Sequence, residues 1–360
     1  MGFSSGITRF FLSRIITPRL MVVDRPGVVY NVLGRKYGSK TSKKRTVFHF
    51  EDVHAHLESN VIENIGVEAN DLFYKYGKES GLRYMLTSGK KEIPSWKIPI
   101  VIDFVFKAFR LGGMTFAERI DYDDGKLRLL GSDNFGCRKT GNPYYFAGVV
   151  SGVMTYILNK NVEAVSYCNC PRCEFVADVR FEDKFIVDER KLIPMKGYKR
   201  LNSPMYKKNL GHSCFSDFIR FKKVGFEKSH RFLFMDKTIF PVEAGMIEVI
   251  YKNYKDIGQE GLVKEKIVEA SEIAAKDIDL KTTKELLKIL SAFGFGIPEI
   301  KSKESIFLSL YNAPVCRFGF NYHACVINGL LNHVLGKKLE VKDIKRRRNK
   351  IIIEFAPKTL

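Results

Sequence analysis

Three hundred and sixty residues carry 60 Lys and Arg against 40 Asp and Glu, a formal charge of +20, with 45% apolar and 12% aromatic content. So many aromatics exclude an intrinsically disordered chain, and no run approaches the ~18 uninterrupted apolar residues of a membrane-spanning helix. Surplus positive charge of this size points to nucleic acid or an anionic surface as partner.

In chain order, residues 1–20 read as a basic N-terminal arm, with Arg9, Arg14 and Arg19 around Phe10 and Phe11 and no acid. A first folded unit then covers 21–181. Helix-spaced apolar residues such as Val53, Leu57, Leu72 and Tyr76 predict helices over Glu51–Ile65 and Ala69–Leu86, and a third spans Ile98–Phe109 before Gly112-Gly113. Asp123-Asp124-Gly125 predicts a hairpin turn. Phe146–Leu158 reads as a helix whose small residues allow close packing, and Val162–Tyr167 and Glu174–Phe181 read as paired strands. Residues 182–231 read as a basic linker of net charge +7, and 232–360 as a second unit ending in strands Leu339–Ile344 and Ile351–Phe355.

The second unit repeats the first. Tyr145–Glu163 aligns with Tyr322–Glu340 at an offset of 177 with seven of nineteen positions identical. Val47–Glu68 aligns with Ile239–Glu260 at an offset of 192, bringing Phe48, Glu51, Ile65, Gly66 and Glu68 onto Phe240, Glu243, Ile257, Gly258 and Glu260. Two blocks in the same order indicate a duplication.

The stretch Gly148-Val-Val-Ser-Gly152, Asn159-Lys-Asn-Val162 and Cys168-Asn-Cys-Pro-Arg-Cys173-Glu-Phe-Val resembles the 4-vinyl reductase domain family, a glycine-bearing helix leading through a strand to a cysteine-containing hairpin. The resemblance covers both copies and is most specific in the last third of each. It implies an α+β fold with helices packed on an antiparallel sheet, two tandem units forming an internal pseudo-dimer, and self-association as a homodimer. It also implies small hydrophobic ligands and a structural zinc in some members.

Cys168, Cys170 and Cys173 place three thiols on one tight hairpin, as tetrahedral zinc with Zn–S near ~2.3 Å requires. The family pattern implies Cys137 as the fourth ligand, six or so residues further upstream than usual; His212 and Cys214 compete for that place. The second copy carries Lys345-Arg346-Arg347-Arg348 at the equivalent hairpin and a solitary Cys316, so the expectation is one zinc per chain. The odd cysteine count and this clustering fit a reducing cytoplasm. His54 and His56 align with Met246 and Glu248, which argues for an exposed helix face without conserved chemistry. No catalytic motif stands out, so no enzyme is expected.

Charge is segregated: residues 1–50 carry a net of +9 and 337–360 a net of +6, which with the linker accounts for the whole excess. Arg9, Arg14, Arg19, Lys43, Lys44, Arg45, Lys199, Arg200, Lys207, Lys208, Lys345, Arg346, Arg347 and Arg348 are the candidate phosphate contacts, with Tyr198 and Tyr206 available for base stacking. The leading expectation is a non-enzymatic RNA-binding protein on the ribosome, of the rRNA-contacting, dimerising hibernation type. The alternative is a cytoplasmic sensor of a small hydrophobic ligand.

Overall fold

In the computed structural model, residues 21–31, 44–86, 92–169, 171–192, 212–227, 231–302, 305–314, 319–347 and 350–358 are described. Each copy begins with a three-stranded meander. In the first this is β1 (Met21–Arg25), β2 (Val28–Asn31) and β3 (Lys44–Phe50); three helices follow, α1 (Glu51–Ile65), α2 (Glu68–Leu86) and α3 (Ile98–Leu111). A hairpin, β4 (Phe116–Asp123) and β5 (Lys126–Ser132), then leads to helix α4 (Tyr144–Leu158) and a second hairpin, β6 (Glu163–Asn169) and β7 (Arg172–Asp178). The second copy repeats this order as β8 (Val224–Phe226), β9 (Phe232–Phe234), β10 (Lys237–Glu243), α5 (Ala244–Asp256), α6 (Glu260–Asp277), α7 (Thr283–Ala292), β11 (Ile297–Ser302), β12 (Ile306–Tyr311), α8 (Asn321–Leu335), β13 (Leu339–Arg347) and β14 (Lys350–Pro357). The fold class is α+β, as expected. Strand β8 lies inside the stretch read as linker and pairs with β9, so the second unit's sheet starts by Val224.

Sheet topology carries the duplication. The two four-stranded sheets have matching orders, β4-β5-β7-β6 and β11-β12-β14-β13, and a six-stranded sheet runs β1-β2-β3-β10-β9-β8. At its centre β3 and β10 are antiparallel, with His49 opposite Phe240 and Phe48 opposite Pro241. Moving each residue to its counterpart 192 positions away exchanges these two pairs. A local two-fold axis therefore passes between them, and the two copies form a pseudo-dimer within one chain.

Backbone demands recur at matching places. Gly66 and Gly258 follow α1 and α5 with φ of +75° and +77°, and Asn159 and Gly336 end α4 and α8 in the left-handed region. Glycine and asparagine are the residues that enter this region at least cost. The α2–α4 crossing needs glycine for a different reason: a Cβ on Gly81 would run into Val149 O, one on Gly148 into Tyr74 O, and one on Gly152 into Lys78 O. In the second copy Gly329 lies equally close to Val268 O.

Buried polar groups fasten the copies together. Arg83 on α2 donates to both carboxylate oxygens of Glu243 at 2.8 and 3.2 Å and to Leu192 O at 2.8 Å. Gly245 leaves room for that guanidinium, which a side chain there would strike. Asn253 Nδ2 donates to Glu79 Oε2 across the same boundary at 3.1 Å.

Candidate metal centre and buried polar cluster

Strands β6 and β7 set Cys168 directly opposite Cys173, and the helical turn Cys137–Thr140 brings Cys137 above them. Cys137 Sγ lies 3.1 Å from Cys168 Sγ and 3.5 Å from Cys173 Sγ. All three sulfurs fall within 4.8 Å of one another. Cys137 and Cys173 are buried and Cys168 is half-buried. Three converging soft donors suit zinc, whose tetrahedral thiolates stand roughly 3.8 Å apart at ~2.3 Å bond lengths. The sulfurs of Cys168 and Cys173 are at disulfide distance. Cys170 and Cys316 lie outside the described residues. The rival ligands are placed elsewhere: His212 Nε2 is 3.2 Å from Pro298 O on β11, and Cys214 precedes the short helix Phe215–Arg220. Neither joins the sulfur cluster, which corrects that alternative.

The second feature lies on the pseudo-two-fold axis. His49 interrupts the apolar strand β3 and stacks on His323 of α8, ring centroids 5.1 Å apart. It also meets the edges of Tyr322 at 5.4 Å and Phe295 at 5.4 Å. His54 on α1 packs on Phe135 at 4.8 Å and Tyr145 at 5.5 Å, while Phe240 bridges to His49. Tyr76 lies 4.7 Å from Tyr145. Both ring nitrogens of His49, Nδ1 of His54 and His323, Oε1 of Glu58 and the hydroxyls of Tyr254 and Tyr322 are buried without a hydrogen-bond partner among the described residues. Buried polar groups normally have one, and each unmet group costs about 1–3 kcal/mol.

Burial dictates the protonation states. It pushes His54 and His323 down to about 3 and His49 well below the usual imidazole value, with the neighbouring His323 and His54 adding to the effect at His49. Burial also raises Glu58 to about 8, against the Thr140 hydroxyl donating to it, and Glu248 to about 7. Glu248 accepts the first amides of α8, from Asn321 at 3.0 Å and from Tyr322 and His323 at 3.2 Å. His323 Nε2 faces Ala244 O at 3.2 Å, which places its proton there and leaves Nδ1 an acceptor. The cluster thus presents neutral donors and acceptors among aromatic walls.

The expected exposed face at His54 is corrected: its side chain is 2% exposed, turned into the aromatic core between the copies. His56 is half-buried, 3.8 Å from Glu269. The expected phosphate contact at Arg45 is corrected too, because its side chain is 1% exposed and donates to Gly27 O, Gly294 O and Asn312 O. Lys345 is exposed and pairs with Asp343. Arg346 and Arg347 lie on β13, opposite Ile351 and Lys350, rather than on a turn. Of Lys44 only the backbone in β3 is described, and Arg9, Arg14, Arg19, Lys43, Lys199, Arg200, Lys207, Lys208 and Arg348 lie outside the described residues. Among the described residues, no helix is long and apolar enough to cross a membrane. Glu58, Glu248 and His323 went unnoticed in the sequence; the one available signal was His323 standing where the first copy has Phe146.

No known family profile matches the chain, and no curated protein matches it significantly. Among solved structures, the phenol-responsive sensory domain of the transcription activator PoxR, solved with phenol, is similar over 48% of this chain and 92% of that one. Identity is 14% and the TM-score 0.35.

Proposed function

We propose that the chain is a non-enzymatic sensor that binds one small, ring-bearing, uncharged molecule at the junction of its two copies, resembling 4-vinyl reductase domains in plan. The observation that supports this reading is the set of partnerless polar atoms on the pseudo-two-fold axis, drawn from β3, α1, α5 and α8. A guest with one or two hydrogen-bonding groups partners two or three of these atoms, while Phe135, Phe240 and Phe295 pack on its ring. Neutral imidazoles and the protonated carboxyl of Glu58 disfavour an ionic guest, which would meet no compensating charge from them. In the same reading Cys137, Cys168 and Cys173 hold a structural zinc in the first copy alone and fix the β6–β7 hairpin.

Replacing Tyr322 or His49 by Phe tests this. Removing a buried polar atom that has no other purpose stabilises the fold, whereas a binding site loses its guest. The expected result is a raised melting temperature together with loss of the thermal shift that benzyl alcohol or benzamide gives the parent. If neither compound shifts the parent, the ligand reading fails.

A further inference from the structure

The two copies differ in what lies beside the strand that follows the glycine helix. In the first copy the chain's own Asp183–Phe185 fills the space between α2 and the start of β6. The amides of Lys184 and Phe185 donate to Glu163 Oε1 at 3.0 and 2.9 Å. Lys78 Nζ donates to Phe185 O at 2.6 Å, Asn161 Nδ2 to Asp183 Oδ1 at 2.6 Å, and Lys184 pairs with Asp71. The Phe185 ring lies 5.9 Å from that of Tyr74.

The same framework recurs in the second copy. Ser151 Oγ donates to Val162 O at 2.6 Å, and its counterpart Asn328 Nδ2 donates to Leu339 O at 3.0 Å. Thr155 accepts the Val162 amide at 3.1 Å as Asn332 accepts that of Leu339 at 2.9 Å. Here, however, the space between α6, α8 and β13 is an open cleft of about 1040 Å³, with Lys264, Val268, Asn328 and Glu340 among its walls. Leu339 to Ile344 line it consecutively, so it follows the strand, and β13 is the outermost strand of its sheet. Asn328 is 4% exposed and its Oδ1 has no partner among the described residues. Glu340 occupies the place of Glu163; it meets Lys342 in a surface pair at 2.6 Å, which water and competing donors open at little cost.

We propose that this cleft is a docking site for an extended segment of a partner protein with the chemistry of Asp183–Phe185. Consecutive backbone amides of the segment go to Glu340 and a further donor to Asn328 Oδ1. Its aromatic side chain lies on Lys264, which itself sits 5.9 Å from the Tyr251 ring. Asp183–Phe185, which fills this place in the first copy, supplies the pattern of amides and aromatic ring that the cleft of the second copy reads. This inference stands independently of the small ligand.

A fluorescein-labelled peptide with the sequence of Phe181–Val187 serves as probe, added to the full chain and followed by anisotropy. Saturable binding is expected, weakened about tenfold by Glu340→Ala, the loss expected for hydrogen bonds to a charged group. Lys264→Ala is expected to weaken it as well, and thermal melts check that both variants fold. Absence of binding, equal binding of a scrambled peptide, or indifference to both substitutions overturns the proposal. So does a concentration-dependent dimer, seen by sedimentation, that Glu340→Ala abolishes and the peptide leaves intact, because the occupant is then a second copy.

Discussion

His49 and His323 stack with their rings 12° from parallel, although one belongs to the first copy's β3 and the other to the second copy's α8. Two imidazoles in face contact inside a core are tolerated only while both are neutral, so the junction between the copies is sensitive to protons.

That sensitivity has a definite sign. His49, His54 and His323 have folded values below their unfolded one of 6.5, while Glu58 and Glu248 have folded values of about 8 and about 7 against 4.5 unfolded. Between pH 4.5 and 6.5 the unfolded chain holds protons on the three imidazoles and the folded chain on the two carboxyls, a difference of one in favour of the unfolded state. Stability from these groups therefore rises by about 1.4 kcal/mol per pH unit up to 6.5. Above 6.5 only the folded carboxyls retain protons, and stability falls toward pH 8. Urea unfolding across this range is expected to peak near pH 6.5; a monotonic profile would show that other groups dominate.

The sulfur cluster predicts the metal content. Purified protein is expected to contain about one zinc per chain, lost in Cys137→Ser and Cys173→Ser. Elemental analysis giving two per chain, or none from protein purified under reducing conditions, contradicts the single asymmetric site.

The α2–α4 crossing predicts a contrast between glycines. Gly148→Ala drives a methyl group into the Tyr74 carbonyl, and backbone cannot move aside as a side chain does, so a loss of about 3 kcal/mol is expected. Gly261→Ala meets nothing within 4 Å and, lying in helix α6, is expected to leave stability unchanged or raise it by about 0.5–1 kcal/mol. Chemical denaturation of the two variants distinguishes these outcomes, and equal effects would mean that the crossing relaxes.

Arg45 is expected to matter for folding. Arg45→Met leaves three carbonyls from both copies without their buried donor and is expected to cost about 3 kcal/mol. A variant that melts with the parent would show that those carbonyls find other donors.

The duplication was legible because repeats preserve what the backbone needs: Gly66 with Gly258 at helix ends and Gly152 with Gly329 at a crossing were visible as identities, whereas the pairing of β3 on β10 is set by packing and not by the offset. Cys137 was placed with Cys168 and Cys173 through a family pattern, as spacing alone cannot bring residues thirty positions apart together. Arg45 and His54 were misjudged for a common reason. Segment charge and a failed repeat match say nothing about burial: His54 is covered by Phe135 and Tyr145 of its own copy and Phe240 of the other, and Arg45 by backbone carbonyls of both. The polar cluster was hidden likewise, since its members come from four separate elements and meet only on the axis.

The most direct test of the central claim is imidazole NMR on the full chain labelled at histidine, titrated with benzyl alcohol and with benzamide. Of the seven histidines, His49, His54 and His323 are expected to shift together as either compound saturates the junction, while His56 and His333 stay in place. Shifts confined to His56 or His333, or none with either compound at millimolar concentration, would contradict a ligand site between the two copies.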